Sequence, residues 1–293
     1  MKNLEITEKP YIFILPAAVI IGLITMVPFV FLIYYSFHDY ALTGFYPAHF
    51  IGVENYIRFF TDSSFLNAAK LTAVYIGTSL GVESVLGFFL ACLLSRRERF
   101  LGIFRTIFII PMAVSPAIIS LIFRFLYNSE YGVLTYYARA LGLLSTRQAF
   151  IAGRGELAML SIILVDVWQW TPFVIILFLA GLSQVPKNLY EAAMTDGAST
   201  MQRFWAITLP IMKPIIVIVL LLRLLDLFRQ VEYVYIITYG GPAGEKTTIL
   251  SFLIYLVSFK YFDIGYGAAM SIILLLVALS TCSMFIKFSK LEI

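Results

Sequence analysis

Six long apolar runs, separated by short polar stretches, organise this chain. They cover approximately 11–37, 69–94, 103–127, 157–183, 211–238 and 264–288. Each holds about 20–25 residues, enough for a helix to cross a hydrocarbon core of ~30 Å. The pattern predicts an all-α membrane protein with six transmembrane helices in one domain spanning 1–293. The first run does not read as a cleaved targeting segment. Its apolar stretch is too long, Pro16 and Pro28 interrupt it, and no small-residue cleavage site follows. In the second run Gly77, Gly81, Ser84 and Ala91 share a narrow arc of helix, which predicts close packing against a neighbour. Pro111 and Pro116 each remove a backbone donor from the third run and predict bends there.

Composition agrees with the pattern. The 293 residues are 61% hydrophobic and 13% charged, whereas soluble domains carry about 25% charged residues. Most of the surface is therefore expected to face lipid or protein. The net charge of +4 is small and scattered, which argues against nucleic acid as a partner. Cys92 and Cys282 lie in apolar runs and read as small buried hydrophobes. His38 and His49 do not have metal-ligand spacing, and no metal site is expected.

Basic residues set the orientation. Lys2 and Lys9 precede the first run, Arg96, Arg97, Arg99 and Arg105 crowd the link between runs two and three, and Lys187, Arg203 and Lys213 flank the loop before run five. With Lys287 and Lys290 at the end, both termini are expected in the cytoplasm. The opposite loops also carry Arg58, Arg139, Arg147, Arg154 and Lys246, but these loops are longer and mixed with acids. The largest of the outer segments, 128–156, reads as a short amphipathic cap around Tyr136, Tyr137, Ala140 and Leu141.

The polar loop at 185–210 holds the most informative residues. Pro186 suits the first turn of a helix, Lys187 to Asp196 can form a short helix, and Gly197 permits its left-handed closure. Ser199 and Gln202 have capping-box spacing for a second short helix, and Pro210 reads as its boundary with run five. The expected product is a helix–turn–helix knob. Ala192 and Ala193 keep one face small, Glu191 supplies a charge, and Phe204 and Trp205 offer apolar anchors. Such a knob suits either docking to a partner or lying on lipid headgroups.

The loop resembles the EAA coupling loop of binding-protein-dependent ABC importers. Glu191, Ala192, Ala193, Gly197, Ile207, Leu209 and Pro210 match its fixed positions, and Asp196 lies among them. Elsewhere, Pro10 to Phe37, Gly52-Val53-Glu54-Asn55-Tyr56, Asp166 to Phe173 and Thr238-Tyr239-Gly240-Gly241-Pro242 resemble the carbohydrate-type permeases of that class, which include maltose and glycerol-3-phosphate transporters. Tyr239 replaces a commoner Gly, and Glu232 stands where Asp is frequent. The resemblance implies a type I importer permease of the bacterial inner membrane, half of a heterodimeric pair. The resemblance also implies two ATPase subunits and an external solute-binding protein as partners. This chain would bind no cofactor, since ATP and Mg belong to the ATPases. Sugars, oligosaccharides, polyols and their phosphate or sulfonate derivatives all fit as cargo.

Charges inside the spans are the second informative feature. If run five is one helix, Arg223, Asp226, Gln230 and Tyr233 lie within about 80° of arc, and Arg229 and Glu232 widen that polar face. A central Arg or Asp costs ~2.5–3.5 kcal/mol on insertion scales, so the face is expected to meet a polar pathway or a partner helix. Charges three residues apart also pair along a helix, which leaves a self-neutralising ladder as the alternative. The substrate-pathway candidates are these six residues with Asp166 and Trp168; Trp170 reads as packing.

Two rival functions are an ion-coupled secondary transporter using Glu83, Asp166 or Asp226, and an intramembrane lipid enzyme. The first leaves the Glu191 loop without a purpose, and the second lacks a visible catalytic constellation. The run Gly240 to Thr247 superficially resembles a phosphate-binding loop, but Glu245 occupies the position where Gly must precede Lys246. No ATP site is expected in the chain.

Overall fold

A computed structural model describes residues 11–44, 47–95, 101–145, 150, 155–241 and 246–289. Lys2, Lys9, Arg96, Arg97, Arg99, Arg147, Arg154, Pro242, Glu245 and Lys290 lie outside these residues, as does the side chain of Arg105. Among the described residues five helices are long and apolar enough to cross a membrane: Ile14–Ser36, Ser63–Leu94, Leu157–Leu182, Thr200–Thr238 and Ile264–Lys287. A bent pair, Thr106–Ala113 with Pro116–Leu126, makes the expected six when counted as one span. The chain divides into two compact units, one built from 1–62 and 254–275 and the other from 63–253 and 276–293.

The larger unit is organised by helix α3 (Ser63–Leu94) against α7 (Gly155–Leu182), with α10 (Leu209–Arg229) packed on both. The inward face of α3 runs through Thr72, Tyr75, Ser79, Glu83, Gly87 and Ala91, at steps of three and four residues. Ala91, Val174, Phe178, Met212 and Val219 close an apolar core from all three helices. The small-residue expectation is met at Ala91, which lies in this core, but not at the two glycines. Gly77 and Gly81 are exposed, and a β-carbon on either would meet nothing. The close approach is at Gly87, where a β-carbon would fall 2.6 Å from Cγ1 of Val174. Gly87→Val is therefore expected to cost about 1–3 kcal/mol through overpacking. The check is the thermal midpoint of the detergent-extracted protein, and an unchanged midpoint would mean that α3 and α7 are not in contact there.

The smaller unit contains α1 (Tyr11–Ser36), the strands β1 (His38–Asp39) and β2 (His49–Phe50), and α2 (Glu54–Arg58). The two strands pair antiparallel, a small addition to the expected all-α fold. The Asn55-Tyr56 dipeptide has a structural use. Asn55 Nδ2 donates to the carbonyls of Ser36 and His38, and Tyr56 Oη donates to Ser36 Oγ, together fastening the end of α1. Arg58 pairs with Asp263 at 2.9 Å and lies over the ring of Tyr266, whose hydroxyl donates to Asp62.

Two of the spans are discontinuous. Helix α4 (Leu101–Ala113) contains Pro111 without a break, whereas α5 (Pro116–Leu126) starts at Pro116 with Ser115 as an extended N-cap, and the two meet at 92°. Pro116 is tolerated there because the first helical N–H needs no intrahelical partner. In span five, α10 ends at Arg229, Gln230 is extended (φ −65°, ψ 124°), and a π-helical turn occupies Val234–Thr238. The six polar residues from Arg223 to Glu232 and Tyr233 consequently do not share one continuous helical face. Pro210 is not a boundary either. Helix α9 (Thr200–Arg203) runs through a π turn, Phe204–Thr208, directly into α10. The wider turn, in which Leu209 N–H reaches back to the carbonyl of Phe204, accommodates a ring that would collide with an ordinary i−4 carbonyl.

Candidate functional site

The loop before span five forms α8 (Lys187–Thr195), a turn, and α9. Pro186 stands at the N-cap, one position before the first turn. Gly197 has φ +77°, Ala198 N–H donates to the carbonyl of Ala193 and Gly197 N–H to that of Met194, the paired bonds of a Schellman closure. At the next helix Gln202 N–H donates to Ser199 Oγ while Ser199 N–H donates to Gln202 Oε1, so both halves of the capping box are made. Tyr190 and Thr208 share a hydrogen bond of 2.6 Å that fixes α8 to the π turn.

No residue of α8 is buried. Glu191, Ala192, Asp196 and Gly197 are exposed, Ala193 and Ile207 are half-buried, and Leu189, Met194, Met201 and Trp205 present apolar side chains to the outside. Phe204 differs from the expected anchor: it turns inward, its ring centroid 6.0 Å from that of Phe88, while Trp205 points away. A rigid turn with large exposed apolar side chains and a small-residue patch has the features of a contact surface.

The second cluster is buried between spans two, four and five. Glu83 and Asp166 are 0% exposed and Arg223 is 1% exposed. Arg223 Nε and Nη2 donate to the two oxygens of Glu83 at 2.7 and 2.8 Å, and Nη2 also reaches both oxygens of Asp166 at 3.3 Å. The guanidinium carbon lies 5.0 Å from the ring centroid of Trp170. A bidentate clamp of this kind fixes three helices by one side chain. Asp226 stands on the rim, 3.9 Å from Arg223 and 2.6 Å from the exposed Arg229.

Further hydrogen bonds extend this network. Tyr233 Oη donates to Gln169 Oε1 at 2.6 Å and accepts from Trp170 Nε1 at 3.2 Å. Gln169 Nε2 donates to the carbonyl of Val114, beside the break in span three. The carbonyl of Gln230, freed by the break in span five, accepts from Ser251 Oγ, and its amide donates to Glu232. Unpaired backbone groups are costly within a membrane, and side chains from span four and from the short helix Leu250–Tyr255 supply the partners here.

The pathway candidates thus fall into two groups. Arg223, Asp166, Gln230 and Tyr233 are buried with partners in this chain; Asp226, Arg229, Glu232 and Trp168 (50% exposed) are reachable from outside. Gln169 was not among the sequence candidates. A neutral amide carries no insertion signal comparable to a charge, and only the nearby break in span three reveals its use.

Residues 83–288 match the family described as binding-protein-dependent transport system inner membrane component. A trehalose/maltose transport system permease protein of Thermococcus litoralis is 33% identical over 96% of this chain and 93% of its own length. A sulfoquinovosyl glycerol transport system permease protein of Agrobacterium fabrum is 34% identical, covering 91% and 85% respectively. A chain from a bacterial ABC transporter involved in the import of the acidic polysaccharide alginate superposes with TM-score 0.79 over 96% of this chain and 94% of its own, at 24% identity, a likeness of fold. Six apolar spans, the exposed helix–turn at Glu191 and these matches lead to one assignment: the chain belongs to the binding-protein-dependent transport system inner membrane components and is a membrane-spanning permease subunit of an ABC importer.

Proposed function

We propose that the chain carries a sugar or sugar-like solute inward across the membrane, powered by ATP hydrolysis in partner subunits. The names of its relatives support carbohydrates and their derivatives as the cargo class. The working assembly has a second homologous permease, two ATPase subunits that bind ATP and Mg, and an external binding protein that delivers the solute. Both termini and the 185–210 loop face the cytoplasm. The observation that carries this reading is the exposed α8 with its Schellman closure, bearing Glu191, Ala192 and Ala193 and continuous through α9 with span five. A push on α8 reaches α10 through the Tyr190–Thr208 bond and an unbroken helix from Thr200 to Arg229. ATPase closure would shift this helix and alternate access from the outer to the inner side.

The solute contacts are assigned to the reachable group. Asp226, Arg229 and Glu232 supply polar contacts, and Trp168 supplies an aromatic face suited to a sugar ring. Gln230 and Tyr233 act behind them as support. Asp226 is one-third exposed and paired with a largely exposed arginine, so Asp226→Asn is expected to change stability by no more than ~1 kcal/mol. Its effect is expected in transport instead, as a change of apparent affinity for the solute in uptake normalised to membrane-inserted protein. Loss of inserted protein with unchanged affinity would return Asp226 to the scaffold. The reading as a whole is tested by assembling the chain with candidate ATPases and a binding protein in liposomes and measuring solute uptake with and without ATP.

A further inference from the structure

Among the described residues two spans are broken, and one side chain bonds beside both breaks. At the first, the Ser115 carbonyl accepts from Ile119 N–H as the opening bond of α5, which leaves the carbonyl of Val114 just outside the helix. Gln169 Nε2 donates to it at 3.0 Å. At the second, Tyr233 stands three residues after the extended Gln230 and donates to the other end of the same amide, Gln169 Oε1, at 2.6 Å. A primary amide has a donor end and an acceptor end, and here each is spent on a different break.

The segments beyond the breaks also hold each other. Helix α5 packs against the π turn Val234–Thr238, and Arg124 Nη1 donates to the carbonyl of Ile236 at 3.0 Å. The segment before the second break is held differently. Seven residues ahead of Gln230, Arg223 is clamped to Glu83 and Asp166 by charge-assisted bonds, which are roughly twice as strong as neutral ones. Span five therefore has a part anchored to two buried carboxylates and, past the extended Gln230, a part attached by neutral hydrogen bonds to α7 and by a guanidinium–carbonyl bond to α5.

We propose that Gln169 is a positioning residue: from α7, which also carries Asp166 of the clamp, it holds the pivots of α5 and of residues 232–238, at Val114–Ser115 and Gln230–Val231, in one register, while the packing of α5 on Val234–Thr238 makes those two segments a single moving part. Resting on the transport function proposed above, this makes the outer halves of spans three and five change position together when access alternates. The Arg223 clamp stays fixed during that movement. Gln169 touches no solute; it sets the register between the two hinges.

The test uses the assembled transporter in liposomes, with Gln169→Leu, Tyr233→Phe and the double variant, each checked for wild-type thermal midpoint. Solute moved per ATP hydrolysed is expected to fall roughly 5-fold or more in Gln169→Leu. Tyr233→Phe removes only a hydroxyl and is expected to fall less, and the double variant is expected to be no worse than Gln169→Leu, since both substitutions cut one connection. A structural readout accompanies this. Spin labels replacing the exposed Ile122 on α5 and Tyr235 after the second break are expected to keep one distance in resting and ATP-trapped states, and to broaden in Gln169→Leu. If Gln169→Leu does not fold, Tyr233→Phe carries both readouts.

A change in the 122–235 distance between states of the otherwise wild-type protein would overturn the proposal, and so would additive losses in the double variant. Absence of ATP-driven uptake in the wild type is a separate outcome that would sink the transport function itself. The label distances, read under an alternative driving force, would still decide whether the two segments move as one.

Discussion

Arg223→Met is expected to remove most of the folded protein from the membrane. Arg223 is 1% exposed and is the shared cation for Glu83 and Asp166, both fully buried. Removing it leaves two carboxylates without a counter-charge between α3, α7 and α10. Breaking a buried pair in this way costs about 3–5 kcal/mol, a large share of the stability of a single domain. Folded yield after extraction measures the loss. Adding Glu83→Gln and Asp166→Asn to Arg223→Met removes the orphaned charges, and much of the yield is expected to return. A single variant as stable as wild type would show that the cluster does not hold the helices together. A triple variant no better than the single would show that the side chain acts by packing rather than charge.

The second large effect is expected at the exposed helix–turn, and it concerns transport rather than folding. Ala193→Trp places an indole on the small-residue face of α8, where no residue is buried within the chain. Gly197→Val forces a β-branched residue to φ +77° at a position where a β-carbon meets no neighbour, so its cost is confined to the local turn. Both variants are expected to insert normally, to lose association with the ATPase subunits, and to lose ATP-dependent uptake by ~10-fold or more. That size corresponds to the ~1.4 kcal/mol that makes a tenfold change. Co-purification of the ATPase with each variant is the check. Normal recovery of the ATPase together with normal uptake would remove the coupling role from this loop.

The contrast between these two sites also shows how far the sequence is legible. Gly197, Ser199 and Gln202 act within four residues of their partners, and the turn and capping box they form are the ones the spacing predicts. The spans are similarly readable, because length and apolarity are summed along the chain. Arg223 is different. Its partners lie 140 and 57 positions away, and each charge announces only that it needs a partner, not which one.

The breaks divide in the same way. Pro116 marks the break in span three. The break at Gln230 has no proline or glycine beside it and depends on Ser251 accepting the role of partner from another segment. Pro210 is the reverse case, a strong local signal overridden by a π turn that lets the helix continue. Gly77 and Gly81 have the sequence of a packing face, but the choice of face falls to the neighbour, and Val174 meets Gly87 instead.

Solute uptake into sealed liposomes containing this chain, a second permease and the ATPase subunits, with binding protein outside and ATP inside, tests the proposed function most directly. Radiolabelled sugar is expected to accumulate only when both ATP and binding protein are present, to be unaffected by collapse of proton and sodium gradients, and to stop with Ala193→Trp. Accumulation driven by an ion gradient in the absence of ATP would contradict it.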